Sequence, residues 1–108
     1  MKESKIEKEL KDIIKSFGLR VYSVHGKTSN DNGIADIVCG MGDLTIWFET
    51  KLESNTYSVE QMLFFKTFKH SYMIKKIKGK WICYNYFEKT KELDLGDLLR
   101  DYIKGVTL

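Results

Sequence analysis

The run Leu-Thr-Ile-Trp-Phe-Glu-Thr-Lys-Leu at 44–52 constrains the fold of this chain more than any other segment. Its β-branched and aromatic residues predict a buried strand, yet Glu49 and Lys51 lie near its end. Because side chains two positions apart on a strand share a face, we expect these two charges to lie side by side. Burying a charge is costly unless it is paired or binds a metal ion, so this strand end is predicted to be a specialised site.

A second carboxylate, Asp36, follows a polar stretch and precedes the short apolar run Ile-Val-Cys at 37–39. If neighbouring strands bring Asp36 to Glu49 and Lys51, two carboxylates and an ammonium group can hold a divalent cation and a phosphate. This combination points to metal-dependent hydrolysis of nucleic acid. The simpler alternative is that Glu49 and Lys51 form an ion pair on an edge strand and that Asp36 is a turn residue.

The composition predicts a globular chain, since 43% of its 108 residues are hydrophobic and 31% are charged. We expect one domain over 1–108 with a single core. No apolar run approaches the roughly 20 residues that cross a bilayer, so the chain is expected in the cytosol of a bacterium or of a phage-infected host.

The two cysteines, Cys39 and Cys83, lie in apolar runs and do not have the spacing of a zinc site. This pattern predicts buried thiols and leaves open whether a disulfide bond joins them.

Seven basic side chains lie within fifteen positions of the segment 66–80, and no acidic residue lies between 61 and 87. The segment is therefore expected to carry a positive surface that can contact nucleic acid. The candidate phosphate contacts in it are Lys66, Lys69, Lys75 and Lys76. His25 and Lys27 lie in a polar loop and are further candidates. For both groups the alternative is an ordinary solvated surface.

Hydrophobic periodicity predicts three helices, over 5–17, 59–69 and 95–104, and five strands, over 19–24, 34–39, 44–52, 72–77 and 81–87. Gly18 is the predicted stop of the first helix, and Asp94 and Gly105 are the predicted N-cap and stop of the last. The order α-β-β-β-α-β-β-α predicts the α/β class, with a mixed β-sheet flanked by helices.

This order, together with three short motifs, resembles the PD-(D/E)XK nuclease superfamily, and more narrowly its VRR-NUC branch of virus-type replication-repair nucleases. The motifs are G-x-x-D at 33–36, E-x-K at 49–51 and S-x-x-Q at 58–61. The resemblance covers roughly residues 3–86 and implies a restriction-endonuclease-like fold and a divalent-metal-dependent DNA endonuclease. Ala35 replaces the family's usual proline before the aspartate, a change that affects backbone shape rather than chemistry.

The resemblance also implies roles for the residues of the E-x-K strand and for Asp36. Asp36 and Glu49 would bind Mg²⁺ or Mn²⁺, and the backbone carbonyl of Thr50 would complete the protein ligands. The cation would orient and acidify a water molecule. Lys51 would position that water or stabilise the negative charge that develops on the phosphate.

Two further residues match auxiliary positions of the family. Glu7, in the first helix, resembles an auxiliary metal residue of the family. Gln61 lies on a stripe of the second helix that is expected to face inward, toward the family's active-site position. Each has an alternative explanation, because Ser4 with Glu7 and Ser58 with Gln61 have the spacing of a capping box. Both alternatives stay open at this point.

Small members of the superfamily often act as symmetric dimers, and two sites related by a two-fold axis suit branched, Holliday-junction-like DNA in repair or recombination. We therefore expect DNA as the partner, a homodimer, and no organic cofactor or membrane. The second helix and the aromatic run at 81–87 are the candidate interfaces. The alternative functions are a non-catalytic nucleic-acid-binding module that retains the nuclease fold, and a protein-interaction domain.

Overall fold

The computed structural model describes residues 3–24, 35–51 and 59–106. The elements in these ranges are α1 (Glu3–Ser16), β1 (Arg20–Ser23), β2 (Ile37–Met41), β3 (Leu44–Thr50), α2 (Val59–Thr67), β4 (Ser71–Ile77), β5 (Lys80–Asn85), β6 (Glu88–Asp94) and α3 (Leu95–Lys104). The described strands form one sheet in the order β1-β2-β3-β4-β5-β6. Strands β3 and β4 pair in parallel, and the other neighbouring pairs are antiparallel. The predicted α/β class, a mixed sheet flanked by helices, is confirmed.

Most of the core lies between the sheet and the helices α1 and α3. Alternate residues of the central strands face these helices, among them Ile46 and Phe48 of β3, which are fully buried. Leu10 and Ile14 of α1 are also fully buried against this face. We call it the main-core face, and its burial of large apolar side chains supplies most of the hydrophobic stabilisation.

The opposite side of the sheet, which we call the α2 face, is covered in part by α2. Phe65 is fully buried there and forms a small cluster with Ala35 and Met73. Trp47 of β3 packs at its edge. Because strand residues alternate between the faces, Glu49 also points to the α2 face and not into the main core.

The hairpin between β2 and β3 sets the register that builds the site. Its loop is Gly42-Asp43, and Gly42 has a φ of +56° that favours glycine. At Gly40 a Cβ atom would lie 2.0 Å from the backbone oxygen of Leu44, so only glycine allows the strands to approach this closely. The resulting register pairs Ile37 with Phe48.

Strand β6 is absent from the sequence prediction, whereas the other elements follow the predicted order. Its sequence, Glu-Lys-Thr-Lys-Glu-Leu-Asp, has one apolar residue, Leu93, which packs against the main core. Among the described strands β6 pairs with β5 alone and forms an edge of the sheet. Charged side chains discourage an edge strand from pairing with other chains, and they also remove the alternating pattern from which strands are predicted.

The predicted helix ends at Gly18 and Asp94 agree with the structure, whereas the one at Ser4 does not. Gly18 follows α1 with a φ of +86°, as its predicted stop requires. Asp94 caps α3 by accepting a 3.1 Å hydrogen bond from the backbone of Asp97. However, α1 begins at Glu3, so Ser4 lies inside the helix and not at its N-cap as predicted.

Both cysteines are buried and free, in accord with the predicted thiols. Burial raises the pKa of Cys39 to about 12. None of the helices in the described ranges is long and apolar enough to cross a membrane.

Candidate active site

Asp36 and Glu49 are joined by hydrogen bonds where β2 begins and β3 ends. The backbone N–H of Asp36 donates to Oε1 of Glu49 at 3.2 Å. In return, Thr50 donates to Oδ2 of Asp36 from its backbone N–H at 3.0 Å and from its hydroxyl at 2.6 Å. The antiparallel register of β2 and β3 therefore places Asp36 beside Glu49, the two residues whose carboxylates the sequence predicts to share a site.

Glu49 is a buried carboxylate with several polar partners. The residue is 5% exposed, and its Oε2 accepts a 2.7 Å hydrogen bond from Nε2 of Gln61. The ammonium nitrogen of Lys51 lies 3.7 Å from the same oxygen. A carboxylate in such a position would be strongly destabilising without compensation, so these contacts explain how the fold keeps it there.

The edge-strand alternative for Glu49 and Lys51 does not fit this geometry. Strand β3 lies inside the sheet between β2 and β4, and the side chain of Lys51 is 13% exposed. Ion pairs that protect an edge strand are solvated, whereas this pair is largely withdrawn from water. Asp36 lies in a bend just before β2, as the turn alternative expects, but its side chain also bonds across the sheet to Thr50.

The oxygen atoms at this position fit a hard divalent cation. Among the described residues none donates a hydrogen bond to Oδ1 of Asp36, which leaves that oxygen available as a ligand. Within the same ranges no three histidine, cysteine, aspartate or glutamate residues gather into a metal cage. Mg²⁺ is commonly bound through one or two carboxylates and keeps several of its own water ligands, so a site with two carboxylates is compatible with it. The backbone carbonyl of Thr50 stays a predicted ligand.

Thr50 has a second role that the sequence analysis overlooks. Its fully buried side chain holds Asp36 through the hydroxyl group, from the position between the two charged residues of the motif. The sequence does carry a signal for this role, because the residue between the two charged residues is a threonine. Its hydroxyl group can donate a hydrogen bond to a carboxylate on the neighbouring strand.

Glu7 is bonded to strand β1 near the same end of the sheet. The hydroxyl of Ser23 donates to Oε1 of Glu7 at 2.8 Å and accepts from Nζ of Lys11 at 2.7 Å. The next residue along the chain, Val24, donates its backbone N–H to the backbone oxygen of Asp36 at 2.7 Å. The structure thus places Glu7 one strand away from Asp36, in a contact that the capping-box alternative does not anticipate.

Gln61 lies in the first turn of α2 and points toward the sheet. Its amide reaches Glu49, as the inward stripe predicts. Ser58, the partner in the alternative capping box, lies outside the described residues. The catalytic role of Gln61 stays a prediction, but its contact with the site is established by the geometry.

The candidate lysines do not form one positive surface. Lys76 points to the main-core side, where its Nζ lies 2.7 Å from Oε2 of Glu9 and 5.7 Å from the ring centroid of Trp81. Lys75, the adjacent residue on β4, points to the α2 face together with Met73. The expectation of a single positive face over this segment is therefore wrong, because a strand sends successive side chains to opposite sides.

The remaining candidates are dispersed. Lys66 is exposed on α2, and Lys69 is exposed just before β4 begins. Since β3 and β4 are parallel and the carboxylates lie at the end of β3, Lys69 is at the opposite end of the sheet from them. His25 and Lys27 lie outside the described residues.

The aromatic run at 81–87, predicted as an interface, is likewise divided between surfaces. Trp81 is 9% exposed and belongs to the main core, which removes it from any interface. Tyr84 packs against the α2 cluster, and Phe87 is 59% exposed. On the outer side of α2, Leu63 is 64% exposed and Phe68, just after the helix, is 43% exposed.

Comparison with known proteins gives a structural relative. No family model matches the chain, and no curated protein matches it. Among solved structures, the chain is similar to Hjc, a Holliday junction resolvase from the archaeal hyperthermophile Archaeoglobus fulgidus. The match has a TM-score of 0.70 and 18% sequence identity, and it covers 93% of this chain and 97% of that chain. At this level of identity the likeness concerns the fold, and this chain therefore shares the fold of that resolvase.

Proposed function

We propose that the chain is a divalent-metal-dependent endonuclease that hydrolyses phosphodiester bonds in DNA, and that it is a PD-(D/E)XK nuclease of the VRR-NUC branch. The observation that carries the proposal is the hydrogen-bonded pair of Asp36 and Glu49, with the ammonium group of Lys51 beside it. A fold shared with a Holliday junction resolvase supports the same conclusion.

In this proposal Asp36 and Glu49 would hold Mg²⁺ or Mn²⁺ where β2 begins and β3 ends. When bound there, the cation would acidify a water molecule and neutralise charge on the scissile phosphate. Thr50 and Gln61 fix the two carboxylates in orientation, since each donates a hydrogen bond to one of them. Residues that orient metal ligands in this way are commonly needed for metal affinity and activity.

Lys51 acts on the phosphate as a point charge. Its nitrogen is held 3.7 Å from Glu49 in a site that is largely withdrawn from water. In such a setting a positive charge stabilises the negative charge that develops on phosphate oxygens more effectively than it would in bulk water. Glu7, held by Ser23 on β1, would complete the proposed site as an auxiliary metal residue on α1.

The proposed substrate is branched DNA, cut by a homodimer in the cytosol. The fold shared with a resolvase favours a junction as substrate, and two symmetric sites would match two strands of a four-way junction. The exposed apolar residues Leu63 and Phe68 of the α2 region are the proposed contact between protomers.

The test is to incubate the chain with supercoiled plasmid and with a labelled four-way junction, in Mg²⁺, in Mn²⁺ and in EDTA. The variant Asp36→Asn should cut neither substrate and should still bind the junction. The matched control is Asp43→Asn, an exposed aspartate in the hairpin loop at the other end of β2 and β3. Salt-sensitive binding without cutting by the wild type would instead favour a non-catalytic nucleic-acid-binding module.

A further inference from the structure

Tyr22 of β1 lies on the α2 face, one strand away from Asp36. The residues on either side of it face α1, since Val21 packs against the main core and Ser23 bonds to α1. Because strand side chains alternate, Tyr22 points to the opposite face. It pairs with Val38, two residues after Asp36, so Tyr22 and Asp36 are diagonal neighbours at about 7–8 Å. A nucleotide next to a phosphate bound at Asp36 can therefore reach Tyr22.

The ring of Tyr22 is open to a ligand on this face. The residue is 55% exposed and borders a groove of about 320 Å³ that extends across the sheet to Thr45 of β3. Gly40 lies in the floor of the groove and contributes no side chain to it. An exposed aromatic ring beside a shallow floor suits a flat ligand with an aromatic face, and a nucleobase has this shape.

Tyr22 also holds a guanidinium group beside the groove. The Nε and Nη2 atoms of Arg20 donate to the hydroxyl of Tyr22 at 3.3 and 3.0 Å, and the guanidinium carbon lies 5.8 Å from the ring centroid. A guanidinium group has five N–H donors, so it can bind a phosphate while it keeps both bonds to the hydroxyl. Arg20 lies two residues further from the carboxylates than Tyr22 does, on the same face.

We propose that Tyr22 and Arg20 form a nucleotide subsite, in which Tyr22 stacks on an unpaired base next to the scissile phosphate and Arg20 binds the following phosphate. The proposal rests on the proposed function, because the subsite is placed relative to a phosphate at Asp36 and Glu49. Bases inside a paired duplex have a neighbour on each face, so only an unpaired base offers a face to Tyr22. The subsite therefore favours DNA with an unpaired base beside the cleaved bond, whatever the identity of that base.

The test of the stacking contact compares binding of a labelled single strand and of a fully paired duplex, both in EDTA. Tyr22→Ala should weaken binding of the single strand by about 5- to 100-fold, the effect of losing one stack between a base and an aromatic ring. It should leave binding of the duplex unchanged. Tyr22→Phe keeps the ring and should retain the wild-type preference, and thermal melting checks that each variant folds.

The test of the phosphate contact is the salt dependence of binding to the same single strand. Arg20→Ala should lower the slope of log K against log salt concentration by about 0.7, the contribution of one phosphate contact on a single strand. Arg20→Lys keeps the charge and should retain the slope. Tyr22→Ala should retain it as well, because stacking releases no counterions.

The matched controls remove the same groups elsewhere on the chain. Phe87→Ala removes a ring that is 59% exposed between β5 and β6, and Arg100→Ala removes the other arginine of the chain, on α3. Both should bind the single strand like the wild type.

Three outcomes would overturn the subsite. Unchanged affinity of Tyr22→Ala for the single strand would leave Tyr22 and Arg20 as side chains that only shield an edge strand. An equal loss on single strand and duplex would exclude stacking, since the paired duplex offers no base face. An unchanged slope in Arg20→Ala, or an equal fall in Arg100→Ala, would remove the phosphate contact.

Cleavage by Asp36→Asn separates this proposal from the proposed function. If the wild type cuts in Mg²⁺, Asp36→Asn does not, and Tyr22→Ala binds like the wild type, the subsite fails and the nuclease stands. If Tyr22→Ala and Arg20→Ala behave as expected but the wild type cuts no substrate, the subsite stands as a binding surface for single strands and the nuclease fails.

Discussion

The amide of Gln61 donates a 2.7 Å hydrogen bond to Oε2 of Glu49 and so ties the first turn of α2 to the end of β3. The other oxygen of the same carboxylate accepts the backbone N–H of Asp36. Glu49 is thus held from a helix on one side and from a strand on the other. Its orientation depends on how α2 packs against the sheet, which in turn rests on the buried Phe65.

Replacing Gln61 by alanine should lower metal-dependent cleavage while leaving the fold intact. The reason is that Glu49 loses the donor that orients it, and loss of such a partner typically costs about 10–100-fold in metal affinity or activity. Titrating cleavage against Mg²⁺ concentration measures the effect. Glu60→Ala, at the exposed preceding position, is the control. Equal activity of Gln61→Ala and wild type at every Mg²⁺ concentration would show that the bond is only structural.

Glu7→Gln should weaken activation by Mg²⁺ with little change in thermal stability. The neutral amide can still accept the hydrogen bond from Ser23, whereas it loses the charge that favours a cation. The expected shift in the Mg²⁺ concentration for half-maximal activity is about tenfold. Glu9→Gln, two residues along the same helix, removes the same charge at the contact with Lys76 and should leave that concentration unchanged. A matching shift in both variants would argue for a general effect of net charge.

The homodimer predicts a solution mass of twice the 12.6 kDa of one chain. Light scattering after size exclusion measures it at micromolar concentration. Leu63→Glu should give the monomer, because it places a charge on the proposed apolar contact, whereas Lys104→Glu on α3 should remain dimeric. A wild-type protein that elutes as a clean monomer would contradict the proposed homodimer.

The thiols of the folded protein should be unreactive near neutral pH. Burial raises the pKa of Cys39 from 9.0 to about 12 and also raises that of Cys83, and the thiolate is the reactive form. A thiol-specific chromogenic reagent at pH 8 should label neither residue until a denaturant is added. Rapid labelling of the native protein would show that the site of Cys39 opens in solution.

The same raised pKa gives a pH dependence of stability. Between these pKa values the folded protein keeps Cys39 protonated, whereas the unfolded chain loses that proton. The contribution of the protonated thiol to the free energy of unfolding is therefore complete below about pH 9 and is lost as the pH rises toward about 12. Over this window the free energy of unfolding should fall by about 1.4 kcal/mol per pH unit for such a thiol. Denaturant unfolding of wild type and Cys39→Ala measures it, and equal pH slopes for the two proteins would contradict the assignment.

Local periodicity accounts for the part of the site that sequence analysis predicts. Glu49 and Lys51 share a face because strand side chains alternate, and this holds whatever the neighbouring strands are. Asp36 reaches Glu49 because the hairpin loop at Gly42 fixes the register of the two strands. Both features follow from short segments of the chain.

The remaining features depend on tertiary contacts that short patterns do not encode. The bond between Ser23 and Glu7 arises from the packing of α1 on β1, and local capping signals point to a different partner. Strand β6 owes its conformation to pairing with β5, since its own residues are mostly charged. The opposite orientations of Lys75 and Lys76, by contrast, follow from strand alternation alone and could have been predicted from the sequence.

Cleavage of a labelled four-way junction by the wild type and by Glu49→Gln tests the central claim most directly. The wild type should cut in Mg²⁺ or Mn²⁺ and not in EDTA. Glu49→Gln should bind the junction with wild-type affinity and cut at least about 100-fold more slowly, because it loses a charge that the metal site requires. Cutting that persists in EDTA, or that is unchanged in Glu49→Gln, would contradict the assignment of this carboxylate pair as a metal-dependent nuclease site.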